Sequence, residues 1–179
     1  MTARLDLGTA PICDFDGTMA RLDVGWADLR VRFGVRSIEE LWLGERDDDW
    51  SIVTEAEITA AADAQPVEEV MDALARAERY AVLTNNDEGA VGCFLERFDK
   101  HAAKAVVIVG RRTLGGSKRD VDRFATGFRL CCTALQLPAC DAAVYVGDGA
   151  YELEFAGALG ARAVSAPLIA TSPDDEERL

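Results

Sequence analysis

The chain is expected to fold as an α/β protein around a doubly wound parallel sheet. Three observations predict this. Short apolar runs rich in Val, Ala and Ile recur along the 179 residues, each stopped by small, polar or acidic residues. Stretches with helical periodicity lie between them. The polar residues gather just after the runs, where open parallel sheets place their sites.

The elements follow in order. Ala10–Cys13 runs into DFDGT, Tyr80–Leu83 into TNND, Ala105–Val109 into GRR, and Ala143–Val146 into GDG. A fifth run, Arg162–Ser165, stops at Ala166-Pro167. Runs of this length bounded by Gly, Asn and Asp read as buried strands. Pro66–Arg79 reads as a helix opened by proline, with Val67, Val70, Met71, Leu74 and Ala77 on one face. Glu88–Phe98 carries Val91, Leu95 and Phe98 at helical spacing. Asp120–Leu137 carries Phe124, Phe128, Cys131 and Leu135, and Tyr151–Leu159 carries Phe155 and Leu159.

Residues 19–65 break the alternation. They hold Trp26, Trp42 and Trp50, a Gly34–Val35 break and the acidic run Asp47–Asp49. This segment is expected to be a small, mostly helical cap over the mouth of the sheet. Residues 1–18 and 66–179 then form the core domain.

Composition narrows the function. The formal net charge is −13, which argues against nucleic acid or an anionic membrane as the main partner, since both require basic surface. A locally positive pocket for a small anion remains compatible with it. Cys13, Cys93, Cys131, Cys132 and Cys140 show no CxxC spacing, and His101 is the only histidine. Buried reduced thiols in a cytoplasmic protein are therefore expected, not a disulfide framework or a zinc site. MTARLDLGTAPIC carries no apolar h-region, so no signal peptide is expected. No apolar run approaches the about 18 residues that span a bilayer. The acidic tail SPDDEERL is expected to fray. Oligomeric state is not readable.

The strand ends converge chemically. They supply Asp14 and Asp16, then Thr84, Asn85 and Asn86, then Lys118 in the following loop, then Asp148 with Glu152 four residues on. Asp14 and Asp16 alternate with Phe15, so they point alike and Phe15 packs inward. Gly17 permits a sharp turn, and Thr18 is expected to bond back to the aspartate loop. Clustered carboxylates repel unless a cation sits among them, and hard oxygen donors suit Mg²⁺. A lysine and a threonine hydroxyl opposite them suit a phosphate. Together these make a phosphoryl-transfer site. GRRTLGGSK is not a P-loop, because Ser117 precedes the lysine instead of following it.

In this order, DFDGT, LTNN, GSKRDVDRF and VGDGAYE resemble the four motifs of the haloacid dehalogenase-like superfamily, over residues 13–164. The resemblance implies a Rossmann-like core and an aspartyl-phosphate mechanism. Asp14 matches the nucleophile and Asp16 the general acid/base. Thr84 and Lys118 match the phosphate-binding pair, with Asn85 beside them. Asp148 matches a Mg²⁺ ligand, together with Asp14 and the Asp16 backbone carbonyl. Two positions depart from the family pattern. Glu152 stands where an aspartate is usual, which retains the charge and allows a shifted metal geometry. Arg119 stands where a proline usually follows the lysine, a position that only shapes a turn.

The resemblance also separates reaction classes. Family dehalogenases and phosphonate-cleaving members lack the second aspartate, and the latter use a cap lysine. Here Asp16 is present and no lysine precedes Lys100. The expected function is a Mg²⁺-dependent phosphatase acting on a small phosphorylated metabolite. The alternatives are a phosphomutase using the same residues, a non-catalytic binding or regulatory protein of this fold, and a phosphatase acting on a macromolecule. The tryptophans are expected to fill the cap core. Trp26 and Arg21 follow the nucleophile loop closely and are the candidates for facing substrate.

Overall fold

Five short runs of apolar residues pair in parallel, and their order places the site. A computed structural model describes residues 4–43 and 46–167. The acidic tail lies outside the described residues. The strands are β1 (Ile12–Cys13), β2 (Ala20–Arg21), β3 (Gln65–Pro66), β4 (Tyr80–Leu83), β5 (Ala105–Val109), β6 (Val144–Gly147) and β7 (Arg162–Ser165). Five of them form one parallel sheet in the order β5-β4-β1-β6-β7. Ile12 pairs with Ala81 on one side and Tyr145 on the other, and both residues of β1 are fully buried. β7, at the sheet edge, is mostly exposed, unlike the buried strand its run suggests. The chain moves outward from β1 to β4 and β5, then returns to the far side at β6. That reversal opens a crevice at the carboxyl ends of β1 and β6.

The helices are α1 (Trp26–Phe33), α2 (Asp47–Asp63), α3 (Glu68–Arg76), α4 (Glu88–Leu95), α5 (Asp99–Ala102), α6 (Arg111–Leu114), α7 (Val121–Ala134) and α8 (Ala150–Ala158). Short 3₁₀ turns occupy Ile38–Leu43 and Cys140–Ala142. The apolar face expected of α3 is buried throughout, but the helix begins two residues after Pro66. Pro66 instead belongs to β3, which pairs antiparallel with β2. This pair closes the neck of the 19–65 segment. The helix expected over 88–98 ends at Leu95, and α5 follows as a separate turn.

Two apolar clusters flank the sheet. On one face Phe124, Phe128 and Cys131 of α7 pack with Tyr145 of β6 and Ala156 of α8, with Phe124 and Tyr145 edge to face at 5.6 Å. On the other, Phe15, Val70, Leu74, Val91 and Phe94 pack with Leu29, Phe33, Leu41, Val53 and Ala61 of the 19–65 segment. The segment therefore shares its apolar interior with the core. The acidic run Asp47–Asp49 forms the first turn of α2, where the helix dipole favours negative charge.

Asp120 ends the Lys118 loop and starts α7. Its carboxylate accepts the N–H groups of Asp122 and Arg123, both at 3.0 Å. Asp120→Ala is expected to cost about 1 kcal/mol by leaving those donors without their cap, and Asp120→Asn much less. Urea denaturation of the two variants checks this.

Candidate active site

The first loop is built around one carbonyl. Phe15 O accepts the N–H groups of Thr18, Met19 and Ala20, which curls the chain back after β1. Gly17 takes φ +82° in this turn, and a Cβ there would overlap the Asp148 carboxylate. Glycine is therefore required twice, for its backbone angle and for the close approach of Asp148. Asp14 stays on the sheet through its N–H to Val146 O at 2.9 Å and is buried. Asp16 is half-buried, and its Oδ1 accepts the Leu22 N–H at 3.0 Å. The Thr18 hydroxyl, expected to bond back to this loop, is buried with no hydrogen-bond partner among the described residues; its backbone N–H reaches Phe15 O at 3.2 Å.

Lys118 reaches into the crevice from the loop after α6. Its Nζ lies 2.5 Å from Asp14 Oδ1 and also donates to Glu152 Oε2. Glu152 is fixed by two further donors, the Tyr145 hydroxyl and the Gly149 N–H, each at 2.9 Å. A Cβ on Gly147 would overlap Glu152, so that glycine allows the carboxylate to lie against β6. Lys118, Asp14 and Glu152 are all at most 5% exposed. Burial alone would push the Lys118 ammonium down, but the Asp14 and Glu152 carboxylates raise it well above its ordinary value, and it remains a cation. Burial and then Glu152 push the Asp14 carboxyl well up, against the pull of Lys118. Burial likewise raises the neighbouring Tyr151 hydroxyl to about 12.

Asp14, Asp148 and Glu152 each place a ligand atom within 4.8 Å of the others. Three carboxylates facing one lysine leave excess negative charge, and the donors are all hard oxygens. This set fits a divalent cation such as Mg²⁺. Both Glu152 oxygens already accept protein donors, so Asp14 and the exposed Asp148 are better disposed as direct ligands.

The loop after β4 carries Thr84 and Asn85. Thr84 is buried; its hydroxyl donates to Asn86 Oδ1 at 2.9 Å and accepts from Asn86 N at 3.1 Å. Asn85 Oδ1 accepts the Lys118 N–H at 2.7 Å and the Ser117 hydroxyl at 3.3 Å. The amide of Asn85 thus ties the lysine loop to the β4 loop.

The arrangement matches known architectures. CbbY from Rhodobacter sphaeroides in complex with phosphate is 20% identical, with a TM-score of 0.67 over 92% of this chain and 88% of that one. A HAD phosphatase from Thermococcus onnurineus is 16% identical, with a TM-score of 0.60 over 92% and 89%. A haloacid dehalogenase-like family hydrolase from Streptococcus pneumoniae is 16% identical, with a TM-score of 0.58 over 88% and 83%. This chain has the haloacid dehalogenase-like fold. No family model and no curated protein matches the chain.

Within that fold, the two substrate-facing candidates fall on β2 and at the start of α1. Arg21 is exposed on β2 and lines a cavity of about 750 Å³ between β2, α1 and α2. None of Asp14, Asp16, Thr84, Lys118, Asp148 or Glu152 lines that cavity. Trp26 is half-buried against the apolar cluster beneath α1, a packing position. Trp42 and Trp50 are half-buried, with ring centroids 4.4 Å apart and planes tilted by 39°. Tyr145, Glu57 and Arg111 also bear on the site, and the sequence does not single them out. A signal exists only for Glu57, a charge between Val53 and Ala61 on the buried face of α2. Among the described residues, no helix is long and apolar enough to cross a membrane.

Proposed function

We propose that the protein is a Mg²⁺-dependent phosphatase that hydrolyses a small phosphate monoester through an aspartyl-phosphate. The observation that carries this reading is the Lys118 ammonium held against Asp14 at the crevice, with Asp148 and Thr84 on adjoining strand ends. A solved neighbour supports the substrate class: CbbY binds phosphate and, in a second structure, xylulose-1,5-bisphosphate.

The reaction is two in-line displacements. An Asp14 carboxylate oxygen attacks phosphorus, and the bond to the leaving oxygen breaks as Asp16 gives that oxygen its proton. Asp16 then takes a proton from water, whose oxygen attacks the phosphorus of the aspartyl-phosphate. Inorganic phosphate leaves and the Asp14 carboxylate is restored. Lys118 holds the phosphoryl oxygens, and the Thr84 hydroxyl joins it by turning its one O–H from Asn86 Oδ1 to a phosphoryl oxygen. Leu22 N–H holds the Asp16 carboxylate, and Glu152 holds Lys118 against Asp14. Mg²⁺, bound by Asp14 and Asp148 with the Asp16 carbonyl that the family resemblance implies, would neutralise charge on the phosphoryl group.

The test is hydrolysis of p-nitrophenyl phosphate with added Mg²⁺ and with excess chelator. Turnover that requires Mg²⁺ is expected. Turnover undiminished in chelator would defeat the metal assignment. Transfer of the phosphoryl group to a sugar hydroxyl in preference to water would show a mutase.

A further inference from the structure

Glu57 lies on the insertion helix α2, outside every family motif, and is 1% exposed. A carboxylate buried that deeply must be paired. Arg111 Nη1 and Nη2 donate to its Oε1 and Oε2, both at 2.9 Å. Asn86 Nδ2 donates to Oε1 and the Asp87 N–H to Oε2, both at 3.0 Å. Arg111 is itself buried, stacks over Trp50 at 4.5 Å, and donates to Thr54 Oγ1 at 2.9 Å. It also reaches Asn85 O at 3.4 Å. One bidentate ion pair therefore grips Asn85, Asn86 and Asp87, the residues that follow Thr84.

The grip has a direction. Asn86 must turn its NH₂ toward the Glu57 carboxylate, which accepts only. Its Oδ1 is then forced toward Thr84 and receives the Thr84 hydroxyl at 2.9 Å. Glu57 thus fixes the Asn86 residue whose N–H and Oδ1 hold Thr84 Oγ1 in place, ready for its O–H to turn to a phosphoryl oxygen.

We propose that Glu57, together with Arg111, is a positioning residue for the phosphate-binding loop. Through it the insertion helix sets affinity for the phosphoryl group. The proposal rests on the phosphatase reading. Neither side chain touches the reacting atoms; both act through Asn86 and Thr84.

The alternative is a staple that only stabilises the fold, and three variants, with Glu57→Leu alone as a reference, separate the two. Glu57→Gln keeps the shape and loses the charge. Arg111→Lys keeps the charge and loses the bidentate geometry. The double variant Glu57→Leu with Arg111→Met removes both charges, which leaves no buried charge unpaired. Each is checked for folding by circular dichroism and thermal melting at low starting temperature. With Mg²⁺ present, inorganic phosphate is titrated by calorimetry and as a competitive inhibitor, and kcat and KM are measured on p-nitrophenyl phosphate. The folded variants are expected to raise KM and the phosphate constants roughly tenfold, with the larger change in KM and the smaller in kcat. The double variant is expected to recover melting temperature relative to Glu57→Leu alone, but not phosphate affinity. Wild-type phosphate affinity and KM in any folded variant would overturn the positioning role. A wild-type protein that neither hydrolyses the ester nor binds phosphate would overturn the phosphatase reading instead.

Discussion

Asp14→Asn is expected to cut turnover by at least about 10⁴-fold while the protein stays folded. The carboxylate is the proposed nucleophile, and an amide oxygen cannot take its place in the attack. The geometry around it survives the change. The amide oxygen of the variant can still accept from Lys118, whose Nζ lies 2.5 Å from Oδ1 in the wild type, and the backbone N–H still bonds Val146 O. Stability should move the opposite way from activity. Burial and Glu152 hold the Asp14 carboxyl well above its ordinary value. An acid whose folded pKa is raised favours folding when protonated, and that contribution is lost as pH rises through the folded pKa. Above the ordinary carboxylate range the titration of Asp14 therefore opposes folding, and the amide removes that opposition. In chelator the variant is expected to melt at or above the wild-type temperature. Added Mg²⁺ should then stabilise the wild type more than the variant, because one ligand is gone. Steady-state hydrolysis and paired melting curves check both halves. Full activity in Asp14→Asn would end the aspartyl-phosphate mechanism.

The parts legible in the sequence are those with a local signature. Tyr80–Leu83, Ala105–Val109 and Arg162–Ser165 appear as strands at the bounds their apolar runs indicate. Phe124, Phe128, Cys131 and Leu135 are fully buried, as their helical spacing requires. Asp14, Asp148, Glu152 and Lys118 each follow a strand of one parallel sheet, so all four gather at its carboxyl end, with Lys118 reaching across from the β5 side. What is illegible depends on pairings with no period. Glu57 and Arg111 are 54 residues apart, and nothing local to either announces the other. The antiparallel pair of β2 with β3 is two residues long and contains Pro66, too short for alternation to register. Asn85 reads as a phosphate contact from its neighbours, yet its Oδ1 faces the lysine loop. Side-chain direction in a turn depends on the fold around it.

Arg119, the departure from the family pattern after the lysine, has more than a turn to shape. Its guanidinium lies 5.0 Å over the Tyr151 ring and 3.5 Å from Glu39. The rim of the crevice therefore joins the lysine loop, the start of α8 and the 3₁₀ turn of the insertion. With Glu57 buried against the β4 loop, the insertion meets the core at two of the loops that carry site residues. Its helices share an apolar cluster with α3 and α4. This segment is built into the site wall on one side.

Lys118→Met is expected to damage stability and activity together, which distinguishes it from Asp14→Asn. The ammonium is 3% exposed and sits between Asp14 and Glu152. Methionine fills similar space and removes the charge, leaving two buried carboxylates with Asp148 nearby. Removing one partner from a buried ion pair typically costs about 3–5 kcal/mol, because the remaining charge stays desolvated. The carboxylates relieve part of that cost by holding a proton, so the loss should be largest above neutral pH and smaller in acid. Phosphoryl oxygens also lose their fixed cation, and turnover is expected to fall by about 10²–10³-fold even where the variant is folded. Adding Glu152→Gln removes one of the stranded charges. The double variant should regain only part of the lost stability, because the amide keeps a single oxygen for the Tyr145 and Gly149 donors that the carboxylate accepts on two. It should regain none of the turnover, because the cation is still missing. Urea denaturation in chelator at several pH values, with hydrolysis assayed in Mg²⁺ on the same preparations, checks the set. A Lys118→Met protein as stable as wild type would show that the pair is not desolvated. Undiminished turnover would show that the phosphoryl group is held by other donors.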